Sequence, residues 1–380
     1  MKLSYIIAAL EEFAPRTLQE SWDNSGLQIG LPEGTDEVSG ALLCVDATEE
    51  IVAEAAERGL NLIISHHPLI FKGFKSLTGA NAPQRAAMAA IRAGIAVYSA
   101  HTSLDSTIGG VSYAMASAMG AKTLRVLSPA DIELRRLTVI CPRAAAADVR
   151  LALLDGEAGI APGSGNSALS NTAPALETDS RCTYNNVEGE TLPAAQNDPI
   201  AGINLIHTPL TRVEAIVPAW KVSALVSAAT GVPGAEDSRV EISPVANTDL
   251  NIGLGVVAEF EKPMKMAEFA AMLKEKFDIP SIRVSLGYDS EAVVRRVAMC
   301  GGAGGEFIGA AQAAGADAYV TADVRYHDFC DNRTGMAIFD IGHFESEQYA
   351  TVIFKNVLSK KMPNFAVYFS SSQKNPIKYL

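Results

Sequence analysis

Three short stretches of the chain share one design: an apolar run of strand length that ends in a polar cluster carrying histidine. Residues 60–64 lead into Ser65-His66-His67-Pro68, and residues 95–99 lead into Ala100-His101-Thr102-Ser103-Leu104-Asp105. Residues 337–341 lead into Gly342-His343-Phe344-Glu345-Ser346-Glu347. Four of the six histidines of the 380-residue chain lie in these clusters. Apolar runs of this length without alternation fit strands buried on both faces, which need helices above and below the sheet. The pattern narrows the fold to α/β, with the clusters gathered beyond the carboxyl ends of the strands, where such sheets bind their ligands.

The intervening segments agree. Residues 3–13 place Leu3, Ile6, Ile7, Leu10 and Phe13 on one helical face. Strand 41–45 is followed by helix 48–58, strand 60–64 by helix 84–93, and strand 95–99 by helix 111–119. This alternation predicts a mostly parallel sheet covered by helices. Strand 293–300 runs into Gly301-Gly302-Ala303-Gly304-Gly305, then a helix, then strand 318–323. Such a glycine turn either cradles phosphate through its N–H groups or lets a backbone pass closely. It completes neither a dinucleotide fingerprint nor a Walker loop, and close passage is the preferred reading.

The alternation breaks in the middle of the chain. Two strand-then-helix units, with strands at 137–142 and 212–218 that each end in proline, frame a stretch from 156 to 202 rich in Gly, Pro, Ser, Asn and Thr. That stretch reads as an extended loop. The expected organisation is a discontinuous metal-binding core, 1–130 and 246–380, interrupted by an inserted α+β domain at 131–245. A length of 380 residues suits two to three domains.

Composition excludes several classes. Hydrophobic residues make up 48% and charged residues 19%, the balance of a globular chain. The formal charge of −12 leaves wholesale nucleic-acid backbone binding without its electrostatic drive, a local basic groove aside. Cys44, Cys141, Cys182, Cys300 and Cys330 stand far apart, so they form neither a disulfide framework nor a CxxC zinc site. Reduced thiols in the cytoplasm are the simplest reading. The N-terminus meets Glu11 and Glu12 too soon for a signal peptide, and no run approaches the roughly 20 apolar residues of a membrane span.

The clusters carry the chemistry. In extended backbone His66 and His67 point apart, so two neighbouring metal ions are expected to take one each. Asp105 and Glu347 then serve as shared carboxylates, and His343 and Glu347, four apart, fall on one helical face. Two ions roughly 3.5–4 Å apart can bind one water and lower its pKa. The mixed donor set suits zinc, iron or manganese. His101 is open between a ligand, a general base and a group that orients Asp105. His327 follows a strand and is open between lining the site and an ordinary loop role. Ser21-Trp22-Asp23-Asn24-Ser25-Gly26 either lines a pocket or forms a turn held by its Asp and Asn side chains.

With SWDNSGLQIG at 21–30, ISHHP at 64–68, HTSLD at 101–105, ADAYVTADVRYHD at 316–328 and IGHFESE at 341–347, the chain resembles the Nif-three-like family, also called GTP cyclohydrolase I type 2 homologues. The resemblance spans nearly the whole chain. It implies a dinuclear site with His66, His67, Asp105, His343 and Glu347 as ligands. It also implies a toroidal homohexamer with its sites facing an internal cavity, and a long form whose insert is a PII-like, ferredoxin-like α+β module. The stretch from Gly156 to Asn197 departs from the family's glycine-rich pattern around Cys182, with a longer loop at 163–181, so no ligand role is carried over to the insert. A family name does not establish a reaction. The expected function is a metal-dependent hydrolase of a small nucleotide-like or phosphorylated substrate, with His101 and His327 as candidate bases. The alternative is a non-catalytic metal-binding, regulatory or metal-chaperone ring.

Overall fold

The first sheet is built on Gly26–Ile29 (β1), Ala41–Cys44 (β2), Leu62–Ser65 (β3) and Ala96–Ser99 (β4). All four positions of β2, β3 and β4 are buried, as two-sided burial requires. The computed structural model describes residues 1–156, 182–191, 206–246, 248–332 and 335–379, with backbone alone at 182–191 and 206–208. Alternate residues along these strands enter different cores. Leu43, Ile64, Ala96 and Tyr98 face one way, toward the helix Leu3–Phe13. Leu42, Cys44, Ile63 and Val97 face the other way, toward helices Glu49–Glu57 and Ala82–Ala93.

The last of these helices shows its sequence logic plainly. Asn81 caps its start by accepting a hydrogen bond from Gln84 N at 3.0 Å, Pro83 sits in the first turn, and Gly94 ends it at φ +66°.

A second sheet contains Lys122–Pro129 (β5) and five strands that follow the insert: Gly253–Lys265 (β10), Arg283–Val284 (β11), Val293–Ala303 (β12), Ala318–Ala322 (β13) and Ala337–Asp340 (β14). Its order is β11-β14-β13-β12-β10-β5. The first sheet has the order β1-β4-β3-β2-β15, where β15 is Val367–Phe369. A mostly parallel sheet is therefore only part of the answer. The strands β4-β3-β2-β15 and β12-β13-β14 are parallel, while β1, β11, β10 and β5 join their neighbours antiparallel. The two sheets share one core, in which Leu43 and Ile64 from the first and Val256, Met299, Val320 and Phe339 from the second meet Phe269, Met115 and Phe354 on helices. No helix among the described residues is long and apolar enough to cross a membrane.

By its contacts the chain divides into two units, Met1–Ala130 with Leu250–Leu380, and Asp131–Asp249. The second unit holds Leu134–Pro142 (β6), Cys182–Thr191 (β7), Ile206–Pro218 (β8) and Arg239–Val245 (β9) in the antiparallel order β7-β8-β6-β9. With helices Ala146–Asp155 and Val222–Thr230 this is the β-α-β-β-α-β order of ferredoxin-like folds. Leu137, Val139 and Cys141 alternate along β6 and Val213, Ala215 and Val217 along β8, so one face of the sheet buries Val149, Leu153, Leu225 and Ala229 of the helices. The expected loop across 156–202 contains the strand β7, an edge strand held by its ladder to β8. Residues 163–181 lie outside the described residues.

The insert leaves and re-enters the first unit between two neighbouring antiparallel strands. Pro129 on β5 is opposite Gly253 on β10, and Ala130 N donates to Ile252 O at 2.9 Å. Joining Ala130 to Leu250 by a short glycine-containing turn is therefore expected to close a hairpin and leave a folded core. A single cooperative melt with retained metal binding is the expected result for the shortened protein. A molten or aggregated product would show that the core needs the insert to fold.

Candidate metal centre

Strand β3 ends at Ser65 because that side chain ties the chain into a bend. Its Oγ donates to His67 O and shares a hydrogen bond with Ser99 Oγ, both at 2.8 Å. The next two amides turn back to strand β2, with His66 N donating to Cys44 O and His67 N to Val45 O. The extended backbone on which adjacent side chains diverge has therefore already ended. The two imidazoles come together, with ring centres 5.1 Å apart. Geometry does not force the two histidines onto separate ions, which corrects the expectation drawn from adjacency.

Each neighbouring strand end adds a donor. His101 follows β4 and Asp105 stands one turn on, in the helix Thr102–Ser106. Gly342, at φ +90°, turns the chain after β14 so that helix His343–Glu347 starts with an imidazole and ends with a carboxylate. His66 Nε2 lies 3.6 Å from Glu347 Oε1 and 3.7 Å from Asp105 Oδ1. Glu347 Oε2 lies 2.8 Å from His67 Nε2 and 3.1 Å from His343 Nε2. Ligand atoms of His66, His67 and His101 fall within 4.8 Å of one another, and so do those of His67, His343 and Glu347. The two groups share His67.

All four rings are held in the same sense. Nδ1 of His66 contacts Ala100 O at 3.0 Å, that of His67 contacts Asp46 at 2.8 Å, that of His101 contacts Asp23 at 2.8 Å, and that of His343 contacts Asp323 at 2.7 Å. Acceptors on every Nδ1 make that nitrogen a donor and leave Nε2 as the position open to a proton or a metal ion, which is how metal-ligating histidines are oriented. Sequence reasoning passed over Asp46 and Asp323 and left Asp23 undecided. Their common signal is position: Asp46 lies two residues beyond β2, and Asp323 directly beyond β13. Asp323 holds φ +53°, an uncommon conformation for a residue with a Cβ, and strain of this kind clusters at functional sites.

The cluster fits a cation by a direct test. His66 Nε2 and Asp105 Oδ1 are both buried without a hydrogen-bond partner, and a buried polar atom left in that state is costly. Burial pushes the Asp105 carboxyl up, and repulsion from Glu347 adds to it. Burial works against the charged form of His67, yet Asp46 and Glu347 outweigh it and raise its pKa to about 10. The same contest, with Glu347 and Asp323 as partners, raises His343 to about 9. The cluster thus demands positive charge, which either protons or a metal ion can supply.

The glycine cluster proves to be a place of close passage. A Cβ on Gly302, at φ +66°, would stand 2.2 Å from Glu347 Oε1. Its amide donates to Ser346 Oγ at 2.9 Å, which fixes the backbone against the helix carrying Glu347. Asp105, His66, His67, His101, His343 and Glu347 thus come together. His327 does not join them: it is exposed on helix Tyr326–Asp331, with its ring edge-on to Tyr326 at 5.5 Å. The helix following β13 carries it out to solvent, so a position shortly after a strand was insufficient to place it.

Comparison with known proteins gives a consistent picture. A protein of Halalkalibacterium halodurans named GTP cyclohydrolase 1 type 2 homolog is 33% identical over 343 residues, which cover 89% of this chain and 87% of that one. The crystal structure of a Bacillus cereus protein related to NIF3 superposes with a TM-score of 0.80 at 29% identity, covering 100% of this chain and 99% of that one. A Staphylococcus aureus protein, SA1388, gives 0.70 at 28% identity with the same coverage. The family model described as Duf34/NIF3 (NGG1p interacting factor 3) matches residues 1–376, and the chain belongs to that family.

Proposed function

We propose that the protein holds two divalent metal ions per chain and hydrolyses a small nucleotide-like or phosphorylated substrate. One observation carries the reading: four gathered imidazoles have every Nδ1 taken, and three of them turn Nε2 toward Glu347, His66 toward Asp105 as well. His66, His67, Asp105, His343 and Glu347 are the proposed ligands. Glu347 directs one oxygen toward His66 and the other toward His67 and His343, which suits a carboxylate shared between two ions. Zinc, iron and manganese all accept this donor set. Such ions, when bound, supply Lewis acidity to the cavity.

His101 is the proposed proton carrier. Asp23 fixes its ring through Nδ1 and is itself buried, with its own pKa held well below the usual carboxylate range: burial opposes this, but hydrogen bonds from His101 and Thr102 prevail. A histidine so oriented takes or gives a proton at Nε2. The name carried by the relatives supports a nucleotide as the substrate class.

Elemental analysis of the metal-loaded protein is expected to give two ions per chain. Replacing Glu347 by Gln is expected to weaken binding of both, by at least about tenfold, the lower bound for losing a supporting partner. A single ion that survives the change would refute the shared carboxylate. His101→Ala is expected to lower turnover on a nucleotide and phosphoester panel by about 10²–10⁴-fold, the contribution typical of a positioned acid or base, with metal content intact. Loss of metal in that variant would make His101 a ligand instead. Absence of turnover with zinc, iron and manganese alike would leave a non-catalytic metal-binding assembly as the function.

Family membership supports extending the proposal to a toroidal homohexamer, and the ferredoxin-like strand order supports a PII-like accessory role for the insert. A closed ring limits the size of the substrates that reach its interior. Light scattering is expected to report about six times the 40.1 kDa chain mass. A concentration-independent monomer would exclude the ring.

A further inference from the structure

Two large aromatic side chains stand partly exposed beside the cluster. Trp22 is 58% exposed and Phe71 43%. Their ring centres are 6.0 Å apart and their planes meet at 55°, so they form an open corner rather than a closed pair. Both stand edge-on to the His101 ring, Trp22 at 5.9 Å and Phe71 at 6.2 Å. His101 in turn lies 5.4 Å from the rings of both His66 and His67. The aromatic corner and the cluster therefore both border one imidazole.

The corner is held in place by hydrogen bonds. Asn24 Nδ2 donates to Ile70 O at 2.6 Å, Ile70 N donates to Gln28 Oε1 at 3.2 Å, and Gln28 Nε2 donates to Asn24 O at 2.6 Å. These bonds tie the loop bearing Trp22 to the loop bearing Phe71. Each exposed ring is also the chain neighbour of an anchored residue. Trp22 precedes Asp23, which accepts from Thr102 N, Thr102 Oγ1 and Ser25 Oγ besides its contact with His101. Phe71 follows Ile70. Two apolar rings kept in water by a rigid polar frame are arranged in advance of binding, which lowers the ordering cost for whatever covers them.

We propose that Trp22 and Phe71 form a stacking subsite for a planar heteroaromatic ring, and that it presents the rest of the ligand to the cluster across His101. The proposal rests on the nucleotide-like substrate class inferred above. A flat ring laid on the indole face meets the phenyl ring at a tilt, an arrangement that aromatic quadrupoles favour. Aliphatic ligands of similar size gain no such match.

The chain has two tryptophans, Trp22 and Trp220, so Trp220→Phe leaves Trp22 as the only indole reporter. In metal-loaded protein with that substitution, adenosine and guanosine monophosphates are expected to quench the Trp22 emission saturably. Ribose 5-phosphate, which has the phosphate but no base, is expected to bind at least about tenfold more weakly and to leave the emission unchanged. Phe71→Ala is expected to weaken nucleotide binding by about tenfold with metal content unaltered. Equal binding of nucleotide and ribose 5-phosphate, or no effect of Phe71→Ala, would overturn the proposal. So would a change of assembly mass in Phe71→Ala and Trp22→Leu with nucleotide binding intact, since the corner would then be an interface between copies. Because quenching is read at equilibrium, nucleotide binding without turnover would fail the hydrolase reading and keep the subsite. Turnover of a simple phosphoester with no quenching would do the reverse.

Discussion

Glu347 sets the central constraint of this fold. Its carboxylate is almost wholly buried, with imidazoles around both oxygens and a second carboxyl, Asp105, facing the same nitrogen of His66. Removing such charges from water is expensive, and the cost is recovered only when opposite charge and well-aimed partners are close by. Much of the surrounding architecture can be read as meeting that demand. Ser65 bends the chain to aim two histidines, Gly302 clears space where any side chain would collide, and Ser346 pins the helix that delivers the carboxylate. Four acceptors then settle which nitrogen of each ring faces inward.

The sheets serve this arrangement by bringing strand ends to a common edge. Strands β2, β3 and β4 run parallel, so Asp46, His66, His67 and His101 all emerge at their carboxyl ends. Strands β13 and β14 do the same for Asp323 and His343 in the second sheet. The shared apolar core fixes how the two edges face each other, which is why residues more than 270 positions apart, His67 and His343, come within 3.3 Å. Packing and chemistry are thereby linked: a change that shifts one sheet against the other moves imidazoles on opposite sides of the centre.

Much of this was legible in the sequence, and the failures have physical causes. Fully buried strands announce themselves as unbroken apolar runs, so β2, β3, β4 and β14 and the histidines after them were readable. The division into two sheets was not, because a buried parallel strand carries the same pattern whichever sheet it joins. The edge strands β1 and β7 were missed: β1 buries only two of its four positions, and the pairing of β7 with β8 leaves no mark in the sequence. The divergence assigned to His66 and His67 assumed extended backbone one residue too far, and the bend depends on hydroxyl contacts from Ser65 that no periodicity reveals. Asp46 and Asp323 looked like ordinary loop residues, since their importance comes from the rings they hold. His327 looked like a site residue because the outward course of its helix is decided by tertiary packing.

The order in which the chain is made gives the split centre a temporal character. His66, His67, His101 and Asp105 all precede the insert, whereas His343 and Glu347 follow it by about ninety residues. At a synthesis rate of roughly 5–20 residues per second, some tens of seconds pass between the emergence of the first imidazoles and the last carboxylate. During that interval the nascent chain carries a half-site of three histidines and one acid, without the carboxylate that draws the two groups together. The histidine half of the cluster is thus made before the carboxylate that balances its charge.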